Sequence, residues 1–179
     1  LLSPTNHPQQ DGNNLKGSIP NDFCLLKSLE SMSISDNTRV LLPWCTSNMA
    51  LLAELRLNGN GYEGDLPNNL HQMESLTHLD LSDNAFSGSI RTLFPANIND
   101  QVGFPTLETL ILSNNDLSGE IPESSFRRMR NLETLAISGN PKLTGSLNEI
   151  CKGSLMFGEA DCETITCRCC QTGSSCPSF

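Results

Sequence analysis

A repeating line governs this sequence. Begun at a Leu or Met, successive stretches read Leu29-x-x-Met32-x-Ile34-x-x-Asn37, Leu52-x-x-Leu55-x-Leu57-x-x-Asn60 and Leu76-x-x-Leu79-x-Leu81-x-x-Asn84. Two more follow, Leu107-x-x-Leu110-x-Leu112-x-x-Asn115 and Leu132-x-x-Leu135-x-Ile137-x-x-Asn140. The closing asparagines lie 23, 24, 31 and 25 residues apart, and a partial line precedes them at Asn13, with Leu15, Gly17, Ile19 and Pro20 in the expected places. The x-Leu-x-Leu-x centre of each line alternates, which predicts a short strand with its Leu side chains inward and the x residues outward. Strands repeated at this distance stack as a parallel sheet, about 4.8 Å apart. One line cannot bury its apolar side alone, so neighbouring coils must share a continuous core. The asparagines Asn13, Asn37, Asn60, Asn84, Asn115 and Asn140 are predicted to turn inward as a stacked column. There the carboxamides satisfy backbone groups of buried turns, each of which costs about 1–3 kcal/mol if left unpaired.

The second half of each line is more particular. It reads Asn13-x-Leu15-x-Gly17-x-Ile19-Pro20, Asn60-x-Tyr62-x-Gly64-x-Leu66-Pro67, Asn84-x-Phe86-x-Gly88-x-Ile90 and Asn115-x-Leu117-x-Gly119-x-Ile121-Pro122. A last version, Asn140-Pro141-x-Leu143-x-Gly145-x-Leu147, carries one extra residue. These lines form the leucine-rich repeat signature, and the Leu-x-Gly-x-Ile-Pro element resembles the plant-type class of extracellular leucine-rich repeats. The resemblance implies an α/β repeat solenoid: a right-handed superhelix with a parallel concave β-sheet, short second strands and a disulfide-stapled C-terminal cap. It covers residues 13–147 (one partial repeat plus five) and is specific for fold, not for function.

Three departures from the pattern carry expectations. After Asn37, Thr38-Arg39-Val40-Leu41-Leu42-Pro43-Trp44-Cys45 lacks the glycine. The repeat after Asn84 spans 31 residues where its predecessor spans 24, so the segment around residues 95–102 is expected to leave the solenoid on its outer side. Loops of that kind often carry binding contacts, which makes Phe94, Asn97, Asn99 and Asp100 contact candidates. Residues 1–12 hold no strand line and no basic-then-apolar leader. They read as an irregular or truncated N-terminal segment of a trimmed chain, its open end covered by missing chain or by a partner, because solenoids need capped ends.

Past Leu147, residues 148–179 form a cysteine-rich tail with Cys151, Cys162, Cys167, Cys169, Cys170 and Cys176. With Cys24 and Cys45 the count is eight. An even number concentrated at one end points to disulfides and an oxidising compartment: extracellular, or alternatively an organelle lumen. Six cysteines allow many pairings, and spacing does not choose among them. Cys24 and Cys45 fall on the return segments of adjacent coils, close enough in register for a coil-to-coil bridge. Cys167-x-Cys169-Cys170 has the look of a thiolate cluster, but no His lies nearby; no metal and no cofactor are expected. The layout of Asp161-Cys162 and Cys167-x-Cys169-Cys170 also resembles the cysteine-rich tails of secreted leucine-rich repeat proteins from diatoms and related algae.

Charge narrows the partners. Eleven Lys and Arg against 20 Asp and Glu give a net charge of −9, and no basic cluster exceeds Arg127-Arg128-Met129-Arg130. A nucleic-acid partner, which needs a positive surface, is not expected. Neither is a membrane span within this chain, for no apolar run reaches the roughly 18 residues required. His7, His71 and His78 are scattered; His78 beside Asp80 is half of a triad, but Ser82 would share its strand with nothing to activate it. The chain is therefore not expected to be an enzyme, and the repeated glycines serve turns rather than phosphates.

What remains is the outward strand face: Ser31, Ser33, Ser35, Asp36; Glu54, Arg56, Asn58, Gly59; His78, Asp80, Ser82, Asp83; Thr109, Ile111, Ser113, Asn114; Thr134, Ala136, Ser138, Gly139. Its chemistry concentrates in Glu54, Arg56, His78, Asp80 and Asp83, the candidate concave ligand site. The expected function is a non-catalytic extracellular recognition or adhesion module that binds a protein or a cell-surface polymer such as a glycan. Alternatives are a structural subunit of a larger extracellular or lumenal assembly, and an inhibitor of a secreted hydrolase.

Overall fold

Residues 10–38, 40–94 and 104–170 are described in a computed structural model of the chain, with backbone alone at Trp44. Six short strands form one parallel sheet in chain order: Ser31–Ser33, Glu54–Arg56, His78–Asp80, Thr109–Ile111, Thr134–Ala136 and Phe157–Glu159. Their register follows the repeat residue for residue, Ser31 opposite Glu54 and Glu54 opposite His78, then Thr109, Thr134 and Phe157. Because side chains alternate across a strand, that register stacks Met32, Leu55, Leu79, Leu110 and Leu135 in one inward column, none more than 1% exposed.

The coils return through a second set of short strands. Gly17–Ser18 pairs with Val40–Leu41, Glu63–Asp65 with Ala85–Ser87, and Lys142–Ser146 bridges Ser118–Glu120 and Ile165–Thr166. The second repeat forms its strand despite lacking the glycine, since the ladder uses only backbone groups. Pro20 and Pro43 then hold extended backbone, and Pro122 a bent one, just before single turns of helix at Asn21–Leu25, Trp44–Asn48 and Glu123–Phe126. Proline fixes φ and offers no donor, so it ends the ladder and starts the turn.

The asparagine column is present at five of its six positions. Asn60 donates to Leu57 O at 2.9 Å and to Ile34 O of the previous coil at 3.0 Å. Asn84 Oδ1 accepts from Asn60 N and Tyr62 N, both at 3.0 Å. Asn13 departs from the expectation: it is exposed, and its amide turns to Asp11 O at 2.7 Å. No earlier coil among the described residues buries it. Asp11 instead closes that edge, accepting from Ser33 Oγ at 2.6 Å and Ser35 N at 2.7 Å, while Gln10 N and Gly12 N pair with the first strand's segment.

The parallel sheet runs on into the cysteine-rich tail. Phe157–Glu159 adds a sixth strand whose inward position is Gly158, opposite Leu135. A side chain there would meet Cys170 Sγ at 3.0 Å, so sulfur fills the slot that a leucine fills elsewhere. Asp161 takes the asparagine's part, accepting from Gly139 N and Asn140 N at 2.9 Å each. The tail is a degenerate last coil whose small inward residues make room for disulfides.

Candidate functional site

Three bridges are set out in the described residues. Cys24–Cys45 joins two neighbouring helical turns with its Cα atoms 6.1 Å apart, Cys151 pairs with Cys169, and Cys167 pairs with Cys170. Cys162 is disulfide-bonded as well, no described cysteine is free, and Cys176 lies outside the described residues. The sulfurs of Cys151, Cys167 and Cys169 gather within 4.8 Å of one another. Held in disulfides, they have no thiolate to offer a metal, which binds the deprotonated sulfur. Replacing Cys24 and Cys45 together by Ser is expected to lower unfolding free energy by about 3 kcal/mol, the loop-closure value for a bridge across some twenty residues. Denaturant unfolding of the two proteins side by side measures it; a loss below about 1 kcal/mol would mean the two turns are held by packing alone.

On the concave face, Glu54 and Arg56 stand on one strand with His78 and Asp80 opposite them on the next. All four are half-buried. Arg56 Nη2 lies 3.4 Å from Glu54 Oε2, and Glu54 also accepts from Ser31 Oγ at 3.2 Å. With both side chains about two-fifths exposed, this pair adds little to stability and leaves the guanidinium free to exchange partners. Burial, with Arg56 beside it, holds His78 below its usual range against the opposing pull of Asp80 and Glu54. Its imidazole is neutral at pH 7, so the patch carries an acidic excess.

Asp80 Oδ1 accepts from Ser82 N at 3.0 Å and Ser82 Oγ at 2.6 Å. The serine is thus a donor that fixes the carboxylate. Asp83 has a second task. Asp36, Asp83 and Asn114 adopt left-handed backbone with φ of 54–57°, at the place where Gly59 and Gly139 stand in other coils. Short Asx side chains are the residues that tolerate this conformation. Asp83 is exposed and accepts from Asn114 Nδ2 at 2.8 Å, so its residue type is explained by the turn.

Four of the outward serines are covered by their neighbours. Ser33, Ser35, Ser82 and Ser113 are each under 10% exposed. A side chain this short sinks between longer neighbours, and the hydroxyls bond along the sheet, as Ser35 does to Asn58 Oδ1 at 2.6 Å. Of the loop candidates, Phe94 is buried, its ring centroid 4.8 Å from Phe126 and 6.0 Å from Phe104; it belongs to the core and not to a contact surface. Asn97, Asn99 and Asp100 lie outside the described residues.

A parallel sheet of one strand per coil, with an asparagine column behind it, defines a solenoid repeat protein. Family matches agree: "Leucine Rich repeats (2 copies)" over residues 105–151 and "Leucine Rich Repeat" over residues 75–97. Among solved structures, the ectodomain of the receptor kinase SOBIR1 from Arabidopsis thaliana is 30% identical, with a TM-score of 0.63 over 77% of this chain and 71% of that one. A plant ice-binding protein superimposes with a TM-score of 0.72 at 24% identity, over 89% of this chain and 49% of its own. The PEPR1–AtPEP1 structure gives 0.63 at 27% identity, over 89% of this chain and 25% of that one. No curated protein matches the sequence. The chain belongs to the leucine-rich repeat family.

Proposed function

We propose that the solenoid is a non-catalytic extracellular recognition module that binds a protein or peptide through the third and fourth coils of its concave face. One observation carries this reading: Glu54, Arg56, His78 and Asp80 sit side by side on two adjacent strands, half-exposed, while the outward positions of the next two strands are Thr109, Ile111, Thr134 and Ala136, none of them charged. The acidic excess suits a ligand that presents amines or hydroxyls to Asp80 and Glu54. Arg56 adds the one guanidinium able to grip a carboxylate through two parallel hydrogen bonds. Thr109, Ile111, Thr134 and Ala136 on the following coils offer a level surface over which an extended peptide passes. The likeness to SOBIR1 and to PEPR1–AtPEP1 supports a protein-binding, extracellular role, as do the bridged cysteines.

Arg56→Ala combined with Asp80→Ala is expected to weaken binding at least tenfold, about 1.4 kcal/mol, with the inward Leu columns undisturbed. Immobilised protein first recovers the ligand from the extracellular fluid of the source, and calorimetry then compares the two forms. Full retention of the ligand by the double variant would move the interface elsewhere. The exposed leucines at the other end, Leu25 at 71% and Leu41 at 47%, would then favour a subunit docked into a larger assembly.

A further inference from the structure

The basic run Arg127-Arg128-Met129-Arg130 takes no part in the concave face. It follows the helical turn Glu123–Phe126, and the next coil places its own turn, Ile150–Lys152, alongside. Between them lies a cavity of about 240 Å³ lined by Phe126, Met129, Leu132 and Ile150, with Arg127, Arg130 and Lys152 at its mouth. The four apolar residues are each at most 4% exposed, whereas the three cations are exposed. Ser154 Oγ closes one end by donating to Arg130 O at 2.6 Å and Leu132 O at 2.9 Å.

Charge is distributed unusually here. The whole chain carries −9, yet the pocket lining holds three cations against one carboxylate, Glu149, with the Glu123 carboxylate turned to Glu149 N and Ser146 Oγ. Lys152 reaches Glu149 Oε1 at 2.6 Å. Arg127 and Arg130 form no close ion pair among the described residues. Lys152, by its hydrogen bond and charge, and to a lesser extent Arg127 hold the Glu149 carboxyl below its usual range. The volume is below the roughly 300–1,000 Å³ of small-molecule sites and has room for one large apolar side chain.

We propose that this pocket, between the helical turns of two neighbouring coils, is a second binding site for an acidic peptide segment of another protein. One apolar side chain of that segment enters the cavity, and its flanking carboxylates meet the guanidinium groups of Arg127 and Arg130. Charge complementarity selects the occupant: a neutral apolar segment would leave both guanidinium groups unanswered, and an anion without an apolar anchor would leave the floor empty.

The test uses fluorescence polarisation with a fluorescein-labelled Glu-Asp-Phe-Asp-Glu peptide, capped at both ends, at physiological salt. Saturable binding is expected, weakened at least tenfold by Arg127→Glu with Arg130→Glu, two exposed positions where the fold tolerates change. Replacing the peptide's Phe by Ser is expected to cost a similar factor, while the concave-face double variant binds as the parent does. No saturable binding, equal binding of the Phe and Ser peptides, or indifference to the charge reversal would each overturn the proposal. So would tighter retention on phosphatidylserine vesicles than on the peptide, since the site would then be a lipid-surface contact.

Discussion

Asn140→Leu is expected to lower the unfolding free energy by about 4 kcal/mol, among the largest effects of any single substitution in this chain. Asn140 is fully buried. Its amide donates to Leu112 O and Ile137 O at 3.0 Å each and lies 3.4 Å from Ser138 O, and its Oδ1 accepts from Leu117 N at 3.1 Å. Leucine matches the size but answers none of these groups. An orphaned buried group costs about 1–3 kcal/mol; relaxation recovers some of it, and the remainder sums to the stated figure. The same change at the exposed Asn13 is expected to stay within about 0.5 kcal/mol, the range of ordinary surface substitutions. Urea unfolding of both variants decides the matter. Equal losses would show that the column contributes by position in the chain and not by its hydrogen bonds.

That contrast marks how far the sequence could be read. The repeat lines specified the strand register residue by residue, because a two-residue alternation repeated at a fixed offset leaves one way to keep every Leu inside. They did not reveal that Asn13 lies exposed, since inward burial needs a coil on both sides and the described residues supply one on its C-terminal side alone. The sixth strand was hidden for a related reason. Its inward residues are Gly158 and Ala160, which give no apolar alternation, and the sulfur that occupies the vacated space comes from Cys170, distant from the strand line. Disulfide partners depend on that three-dimensional arrangement, so the spacing of six cysteines left the pairing open.

The candidate site was legible in part. Glu54, Arg56, His78 and Asp80 were placed on neighbouring strands by the repeat offset, and they stand opposite one another. The depth of each side chain was not legible. An outward position says which way a Cβ points, not whether taller neighbours cover it, and the buried serines follow from that distinction. Asp83 shows the same limit in another form: at a turn that requires left-handed backbone, a carboxylate is chosen for its shortness as readily as for its charge.

Phe126→Ala is expected to cost about 4 kcal/mol, within the 3–5 kcal/mol typical of emptying a buried phenyl site. Phe126 is fully buried, and its ring is tilted 54° against Phe94, which meets Phe104 edge-on at 72°. Phe94 precedes the long connection, Phe104 follows it, and Phe126 belongs to the next coil. Phe94 and Phe104, on either side of that connection, thus pack against each other, and Phe94 packs against the next coil through Phe126. Removing the Phe126 ring leaves Phe94, the middle ring of the three, facing a void and also opens the floor of the pocket beside Met129 and Ile150. Phe126→Leu, which keeps most of the volume, is expected to lose less than half as much. Thermal and urea unfolding of the two variants test this. A loss below about 1 kcal/mol for Phe126→Ala would mean that the rings stabilise the connection locally without bearing on the stack.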